Sequence, residues 1–584
     1  MTTGLLPETV AEQTPRHDER ADAERQVEGM QASRTSMVPW WSELSRYFSP
    51  RSARIQGRQD NRGNVLNRHL INEKAVFAKR ALAAMLSWGI TNPSQRWRQL
   101  AVPDVTLQED ASVAEWLHVV NERMNTSLGQ SNFYHAMTQI YDDVIVYGTA
   151  AILMEDDADD LFRFVPFATG SYSLADDEKQ RVTAYSRTLW MTVRQIMKRF
   201  GTDDRGREDH ATFSKPLLDA IKDNALETRI EVVQLVYPNP EYDGVKRTPE
   251  YKQFASCYYE AGAYPKDARY AFLAKEGYDE WPLMVFRWRR VADEVYGIDA
   301  PGMQVLGTNK SLQQVESKKL KLLDKAVDPP MVGPDMGARR PSMLPGDYNA
   351  VNDRDKQMRA LHDVNLAGLA AVQQERMDME ARVDEAFYTN LMLFISNATD
   401  PRDRTAREVD EISNEKYLVL GTVLESFNET FEAVTDRQFA MMLRAGMIPE
   451  APELLQGVTL KVEYTSIMAQ AQKSVGLTNL KDFAYTVAAI AKETADPRLL
   501  RKVDFAQWVD EFAQRSSIPP SIVYSDEVFE ANERAAAELA AEERRVALAA
   551  EEADATAKLG ATPMGGDTAL DRVVAAGGMR GLPA

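Results

Sequence analysis

Residues 141–157 read YDDVIVYGTAAILMEDD, a stretch that changes from helical to strand-like spacing within a few positions. A helix over residues 131–147 is predicted to end at Gly148, because glycine commonly stands just beyond a helix C-terminus. Two strands, Ala150–Met154 and Phe162–Pro166, are then predicted on either side of the turn DDADD. The stretch therefore predicts a β-hairpin with an acidic tip that follows directly on a helix.

Further helices and strands continue this pattern on both sides. A helix after Asn64 is predicted to stop at Gly89, and Thr192 and Gln195 have the spacing of a capping box at a helix start. More strands are predicted at RVTAYSRTLW (181–190), RIEVVQLVY (229–237) and PLMVFRW (282–288). Residues 36–290 are interpreted as a mixed α+β lobe. Residues 1–35 are charged and lack aromatic residues, so they are interpreted as a disordered arm.

Beyond residue 290 the pattern becomes mostly helical, so the predicted fold class is α+β and predominantly helical. One helix within 291–327 would span roughly 39 Å and a second, at 357–395, roughly 58 Å, at the rise of an α-helix. Between them lies a segment rich in proline and glycine, 328–356. Helices this long must bury a face, and copies of the same chain in a ring or bundle would supply one.

The remaining segments are shorter or less regular. A polar break, SNATDPRDR (396–404), precedes a helix and return at 405–475, with a capping box starting at Thr405. Residues 476–558 are predicted as helices that end in an Ala/Glu/Arg-rich one with Ser525 as its N-cap. Residues 559–584, rich in glycine, are predicted as a flexible tail.

Composition limits the classes of function. A chain of 584 residues predicts two to four domains, and its net charge of −19 makes the surface as a whole repel nucleic acid and anionic membranes. The single cysteine excludes an internal disulfide and fits a reducing compartment. No run of 18 apolar residues and no apolar signal region is present, so no membrane contact is expected and synthesis is placed in the cytoplasm.

Enzyme signatures are absent from the sequence. It contains no P-loop, HExxH, CxxC, EF-hand or GxSxG pattern, and its six histidines are scattered, so no catalytic residue, metal or cofactor is predicted. The acidic group of Glu155 and Asp156–Asp160 leaves one alternative, a metal-dependent nuclease, since clustered carboxylates bind Mg²⁺. Adjacent carboxylates at a hairpin tip more often form a solvated turn, and that reading is preferred.

Basic residues are concentrated in the first long helix. This helix contains only two acidic residues, Glu316 and Asp324. Its lysines number five: Lys310, Lys318, Lys319, Lys321 and Lys325. In a monomer these lysines would form a solvated helix face. In a ring, the same lysine from every subunit would form a belt of positive charge that contacts DNA phosphates without sequence preference. Two further basic pairs, Arg339–Arg340 and Arg402–Arg404, could contact a protein partner or DNA.

The stretch LSWGITNPSQRWRQL (86–100) alternates arginine with tryptophan and has two readings. Cations between aromatic rings can bind nucleic acid, with the ring stacking on a base. Alternatively, the stretch is a structural corner that buries its rings and turns its arginines outward.

Several stretches together resemble the portal proteins, or head-to-tail connectors, of short-tailed bacteriophages. The similar segments occur in order over about residues 64–450: SWGITNPSQRWRQL, YDDVIVYGTAAILMEDD, the hairpin followed by MTVRQ, the landmarks RW, YG and DPP within 281–330, and RTAREVDEISNEKYLVLGTVLESFNETF. The resemblance implies a portal fold with wing, stem, clip and crown, assembled as a ring of twelve chains at one capsid vertex of the virion.

The family pattern also implies a role for each segment. Residues 36–290 and 405–475 would form the wing, 291–327 and 357–395 the stem, and 328–356 the clip. Residues 396–404 would be the tunnel loop at the channel edge, and 476–558 the crown with an added helical barrel. The corresponding site residues are Asn397, Thr399, Arg402 and Arg404 in the tunnel loop, Lys310, Lys318, Lys321 and Lys325 as stem belts, and Arg339 and Arg340 in the clip.

The implied function is a conduit for double-stranded DNA during packaging and ejection. The implied partners are terminase, a tail adaptor or head-completion protein, and the major capsid and scaffolding proteins, with DNA passing non-specifically. LSWGITNPSQRWRQL then lies in the wing, where Trp88 and Trp97 would pack and the arginines would face solvent or a neighbour. A structural virion oligomer that does not contact DNA remains an alternative of another class.

Overall fold

The computed structural model describes residues 17–50, 67–327, 367–389, 421–466 and 526–561 with short gaps, some isolated residues, and four residue pairs given below. The chain divides into two compact units, residues 1–472 and 473–584, which are described separately. The first unit is a mixed helix and sheet structure, and the described part of the second is chiefly one helix.

The helix-to-strand change predicted at Gly148 is confirmed. Helix α5 (Phe133–Tyr147) ends at Gly148, which has a left-handed φ of 75° and donates its N–H to the carbonyl of Val144. The chain continues into β2 (Thr149–Asp157) and, after the acidic turn, β3 (Leu161–Pro166), which pair antiparallel. β9 (Leu283–Arg287) pairs with the other side of β2, so the order is β3-β2-β9.

Two glycines from distant parts of the chain meet beside this sheet. A Cβ built on Gly148 would lie 2.3 Å from the carbonyl oxygen of Gly297, and one built on Gly297 would lie 2.3 Å from the carbonyl oxygen of Gly148. The N–H of Gly297 also donates to Oγ1 of Thr149 at 2.7 Å. Only residues without a side chain let the two backbones approach this closely.

A second, five-stranded sheet is antiparallel throughout, in the order β4-β5-β6-β7-β8. Its strands are β4 (Tyr172–Asp176), β5 (Val182–Thr192), β6 (Arg229–Pro238), β7 (Phe254–Glu260) and β8 (Ala274–Tyr278). Helices α6 (Val193–Phe200) and α7 (Lys215–Lys222) cover one face, where Val232 and Tyr258 are buried. The capping box of Thr192 and Gln195 at the start of α6 is confirmed.

The opposite face of this sheet is covered by α1 (His17–Arg34), so the prediction of a disordered arm over 1–35 is wrong for residues 17–34. Ala23, Val27 and Met30 recur at helical spacing and are buried in one apolar cluster with residues of the sheet that include Val233 and Leu235 of β6. Arg20 is also buried, because its guanidinium donates to the carbonyls of Glu260 and Ala263. Low mean hydropathy concealed this helix, since its buried stripe is short and includes an arginine.

Side chains from neighbouring elements form hydrogen bonds with backbone groups on the outer edges of β3 and β9. Asn132 donates to the carbonyl of Phe164 and accepts from its N–H, which completes the outer edge of β3. Ser426 and Thr430 donate to carbonyls of Arg287 and Val285 on the outer edge of β9. A strand edge bonded in this way offers fewer groups to another strand.

The main core lies between these sheets and four helices: α2 (Val38–Phe48), α3 (Lys74–Ile90), α4 (Ala111–Gln130) and α11 (Gly421–Arg444). A two-stranded sheet of β1 (Arg98–Ala101) and β12 (Lys461–Tyr464) closes it. Asn121 of α4 bonds both backbone groups of Leu100 on the outer edge of β1. The helix predicted after Asn64 begins only at Lys74.

The tryptophan and arginine stretch is a structural corner, as predicted, but two of its side chains are oriented otherwise than expected. Trp97 is buried and stacks against Phe133. Trp88 is 52% exposed on α3, and Arg98 is only 3% exposed. Arg98 donates to Thr435 and Gln438 of α11, partners more than 330 positions away that local spacing could not reveal.

The long helices are shorter than predicted. The first is interrupted at Val305, giving α8 (Pro301–Gln304) and α9 (Leu306–Val327). The second, α10, is described over Ala367–Ala386 of the predicted 357–395. Arg359–Ala360 instead form a short strand, β11, a turn follows α10 at Phe387 and Tyr388, and residues 361–366 and 390–395 lie outside the described residues. Met331–Val332, as β10, pair antiparallel with β11. The helix predicted from Thr405 is described from Gly421 onward.

In the second unit the alanine-rich helix predicted at 525–558 is confirmed as α12 (Asp526–Ala561). Its predicted cap, Ser525, lies outside the described residues, as does most of 476–515. Two short strands, β13 (Pro563–Met564) and β14 (Asp567–Thr568), pair within the segment predicted as a flexible tail, which is therefore partly structured.

Candidate nucleic-acid interface

Helix α9 carries a row of exposed cations on its outer face. Lys318, Lys321 and Lys325, named here the lysine row, follow the i, i+3, i+7 spacing of one helix stripe, and all three are exposed. None of the three forms an ion pair with another described residue. Over these seven positions the helix rises about 10 Å.

The opposite side of α9 is attached to the rest of the unit. Leu306, Asn309, Leu312 and Gln313 are buried. Nine positions separate Asn309 from Lys318, and at about 100° per residue this places the two on opposite sides of the helix. The lysine row therefore lies on the side of α9 that faces away from its buried residues.

Two other lysines of the predicted group have acidic partners. Nζ of Lys310 lies 3.0 Å from Oε1 of Glu43 on α2, and Nζ of Lys319 lies 2.9 Å from Oε1 of Glu316. Lys310, which was predicted as part of a stem belt, is only partly exposed. Its positive charge is balanced by the carboxylate of Glu43. The positive charge available to a ligand on α9 is that of the lysine row.

Six predicted site residues cannot be compared with the structure. Arg339 and Arg340 of the predicted clip, and Asn397, Thr399, Arg402 and Arg404 of the predicted tunnel loop, lie outside the described residues. Their roles remain predictions.

The acidic group at the β2–β3 turn does not converge on one point. Oε1 of Glu155 pairs with Arg187 at 2.8 Å, and Oδ2 of Asp156 lies 3.8 Å from Arg437, since neighbouring strand residues point to opposite faces. Oδ1 of Asp157 accepts the N–H groups of Asp159 and Asp160, which lowers the pKa of Asp157. Within the described part of the chain, no three acidic, histidine or cysteine side chains are grouped to hold a metal ion.

A cavity of about 580 Å³ lies where α8, the end of α10 and the start of α11 meet. Its two guanidinium groups, one exposed and one half-buried, are already paired, Arg289 with Asp299 at 2.9 Å and Arg290 with Glu429. Glu425 adds a third carboxylate to the lining. The lining is net acidic, so it does not suit a phosphate group.

The sequence patterns missed the polar residues that hold α9 in place, above all Asn72 and Gln313. Neither belongs to a recognisable motif, and Asn72 lies in a loop 241 positions before its partner. The one indication in the sequence is that Gln313 lies on the same helix stripe as the apolar residues Leu306 and Leu312.

Comparison with known families identifies the chain. A family model described as bacteriophage head to tail connecting protein matches residues 20–523. The chain belongs to this family. The match covers the three-stranded and five-stranded sheets, the lysine row and α11, whereas α12 lies beyond its end.

Two curated relatives of the connecting-protein family match over most of their length. The portal protein of Salmonella phage epsilon15 is 33% identical over 509 residues, which cover 86% of this chain and 88% of the relative. A probable portal protein of Bordetella phage BPP-1 is 29% identical over 551 residues, which cover 94% and 96%. The nuclease alternative is not favoured by these matches.

Solved structures resemble the chain only weakly. A chain from the neck of an empty gene transfer agent particle aligns with 74% of this chain and over 90% of its own length, with a TM-score of 0.34 and 10% identity. A virion of a native gene transfer agent particle covers 75% and 93% at a TM-score of 0.32. None of the described helices is long and apolar enough to cross a bilayer.

Proposed function

We propose that the chain is the subunit of a twelve-membered portal ring that conducts double-stranded DNA into and out of a phage capsid. The observation that carries the proposal is the lysine row, an exposed basic stripe that forms no ion pair with another described residue, in a chain of net charge −19. Family membership over residues 20–523 supports the same function. In a ring these stripes would become belts that attract phosphate weakly, while the acidic remainder would keep DNA from adhering.

The chain would have no catalytic role in this function. Its sequence lacks a P-loop, so the energy for packaging would come from a separate terminase bound at residues 328–356. A tail adaptor would later bind the same segment, and the capsid and scaffolding proteins would surround the α+β body. Helix α12, whose described residues are exposed, would pack against copies of itself as a barrel.

The first test is the mass and symmetry of the purified protein. Twelve chains of 65.7 kDa make about 790 kDa. Native mass spectrometry and negative-stain imaging should give a closed ring of about this mass with a central hole. A protein that stays monomeric or two-fold dimeric at high concentration would contradict the proposal.

The second test separates a DNA conduit from a structural oligomer that does not contact DNA. The variant K318E/K321E/K325E should weaken binding of double-stranded DNA to the ring at least about tenfold at low salt and flatten its salt dependence. K198E/K215E/K222E changes the charge equally at three exposed lysines near the five-stranded sheet and should have little effect. Equal effects of the two variants would favour the structural oligomer.

A further inference from the structure

In the loop before α3, Asn72 bonds residues of both α9 and α10. Oε1 of Gln313 on α9 accepts the N–H groups of Ile71 at 2.7 Å and of Asn72 at 2.9 Å. Nε2 of Gln313 donates to the carbonyl of Asn72 at 2.8 Å. On the other side, Nδ2 of Asn72 donates to Oε1 of Glu380 on α10 at 3.0 Å.

Asn72 also makes a bond within its own loop. Its Oδ1 accepts the N–H of Lys74 at 2.9 Å, at the start of α3. The backbone N–H, the backbone carbonyl, the amide nitrogen and the amide oxygen of Asn72 are therefore all bonded. A residue whose four polar groups point to three different elements can hold only one relative arrangement of them.

The contacts around Asn72 are polar rather than apolar. Lys74 pairs with Asp384 of α10 at 2.6 Å, and Asn309 of α9 donates to the carbonyl of Tyr47 at 3.3 Å. Among residues 370–386 of α10, only Val383 is buried. Apolar contacts are non-directional, so with so few of them the angle of α9 and α10 depends on directional hydrogen bonds.

We infer that Asn72 is the positioning residue that fixes α9 and α10, the helix pair, against the α+β body and thereby sets the location of the lysine row. The inference rests on the proposed function for the meaning of that location, but not for the mechanical role. Asn72 touches no DNA in this scheme; it acts through Gln313 and Glu380.

The test exchanges the polarity of the bond between Asn72 and Glu380. N72D places a carboxylate against Glu380, while E380Q keeps an oxygen that accepts from Asn72. In N72D/E380Q the new amide at position 380 can donate to the new carboxylate at position 72, which restores the bond in the reverse direction. Q314A, one position from Gln313 on the exposed face of α9, is the control.

Hydrogen exchange of the assembled protein, followed by mass spectrometry, measures the role directly. N72D should raise amide exchange in α9 and α10 about tenfold and leave β5, β6 and β7 unchanged, since local opening affects only the region that is released. N72D/E380Q should return exchange towards that of the parent chain, and Q314A should have no effect. Unchanged exchange in N72D, an increase that includes β5–β7, or no rescue by the double variant would each overturn the inference.

DNA binding by the same variants distinguishes this inference from the proposed function. If N72D loosens the helix pair and also alters the salt dependence of DNA binding, with rescue of both, positioning of the lysine row is supported. Loosening without any change in DNA binding would retain the mechanical role and overturn its link to the lysine row. If K318E/K321E/K325E were also without effect, the proposed function itself would fail.

Discussion

Helices α9 and α11 both carry basic side chains at regular helical positions, but they use them in opposite ways. On α9, the lysine row is exposed and has no acidic partner among the described residues. On α11, Arg437 is 2% exposed and donates to the carbonyls of Met154 and Glu280, and Arg98 reaches the same helix from β1 while 3% exposed. In these two helices, Arg437 bonds groups inside the chain, whereas the lysines of the row remain exposed to solvent.

The chemistry of the two side chains explains the division. Guanidinium is planar, with five donors that can bond several carbonyls at once, so it can be buried when its partners are fixed. An ammonium is compact and strongly hydrated, and it stays at the surface unless paired. Burial lowers the pKa of Arg98 to about 10, which still leaves it charged at neutral pH. Substitutions of Arg98 and Arg437 should therefore change the free energy of unfolding, and substitutions in the lysine row should change only DNA binding.

The largest effect is expected at Arg437. R437A removes donors from two buried carbonyls and from Glu280, so the free energy of unfolding should fall by roughly 3 kcal/mol. R444A is the matched control, because Arg444 contacts the same Glu280 from the surface and should contribute less than about 1 kcal/mol. Thermal or denaturant unfolding at fixed protein concentration measures both. Equal losses would show that burial does not separate the two arginines.

A smaller loss is expected at Arg98. R98M keeps the length of the side chain but leaves Oε1 of Gln438 without its donor, which should cost about 1–2 kcal/mol. The loss stays below that of R437A because R98M retains the length of the side chain and leaves no backbone carbonyl without its donor. R96A, at the exposed partner of Glu122, is the control and should be nearly neutral. A loss at Arg98 larger than that at Arg437 would contradict this ranking.

A stabilising change is expected at Asp143 on α5. Burial raises the pKa of Asp143 to about 8, and its Oδ2 has no hydrogen-bond partner among the described residues. The unfolded carboxyl ionises near pH 4 and the folded one near pH 8, so folding becomes less favourable as pH rises between these values. D143N removes this cost: its unfolding temperature should exceed that of the parent chain at pH 8 and approach it near pH 4. An advantage that is equal at both pH values would contradict the assignment.

The smallest effect on stability is expected in the lysine row. K318A/K321A/K325A removes exposed cations that have no ion pair with another described residue, so each substitution should change the free energy of unfolding by less than about 0.5 kcal/mol. Unfolding measurements beside those of R437A provide the contrast. A combined loss comparable to that of R437A would show that the row is structural.

Local patterns predicted much of the fold, and long-range contacts account for what they missed. Gly148, the β2–β3 hairpin and the capping box at Thr192 depend on residues within a few positions, so the sequence indicated them correctly. The lysine row was visible for the same reason, as a charge pattern on one helix. The bonds of Arg98 to α11 and of Asn72 to Gln313 join residues more than 240 positions apart and leave no local signal.

Helix α1 was missed for a different reason. Among its residues whose burial is described, Ala23, Val27, Met30 and Arg20 are buried, too few apolar positions for periodicity to stand out from a charged segment. The arginine that looked like part of a solvated arm is instead bonded to two carbonyls and lies over the rings of Tyr259 and Tyr264. Composition describes average solvation, and a helix held by a few specific contacts departs from that average.

The meeting of Gly148 and Gly297 has a consequence for how the chain can change over generations. Residues in contact often vary together, because a larger side chain at one position is offset by a smaller one at the other. Here each backbone occupies the space where the other residue would carry its first side-chain atom, so neither position has a smaller residue to offer. The pair should therefore be invisible to methods that infer contacts from correlated substitutions, although the neighbouring bond joins Thr149 to Gly297 across 148 positions of chain.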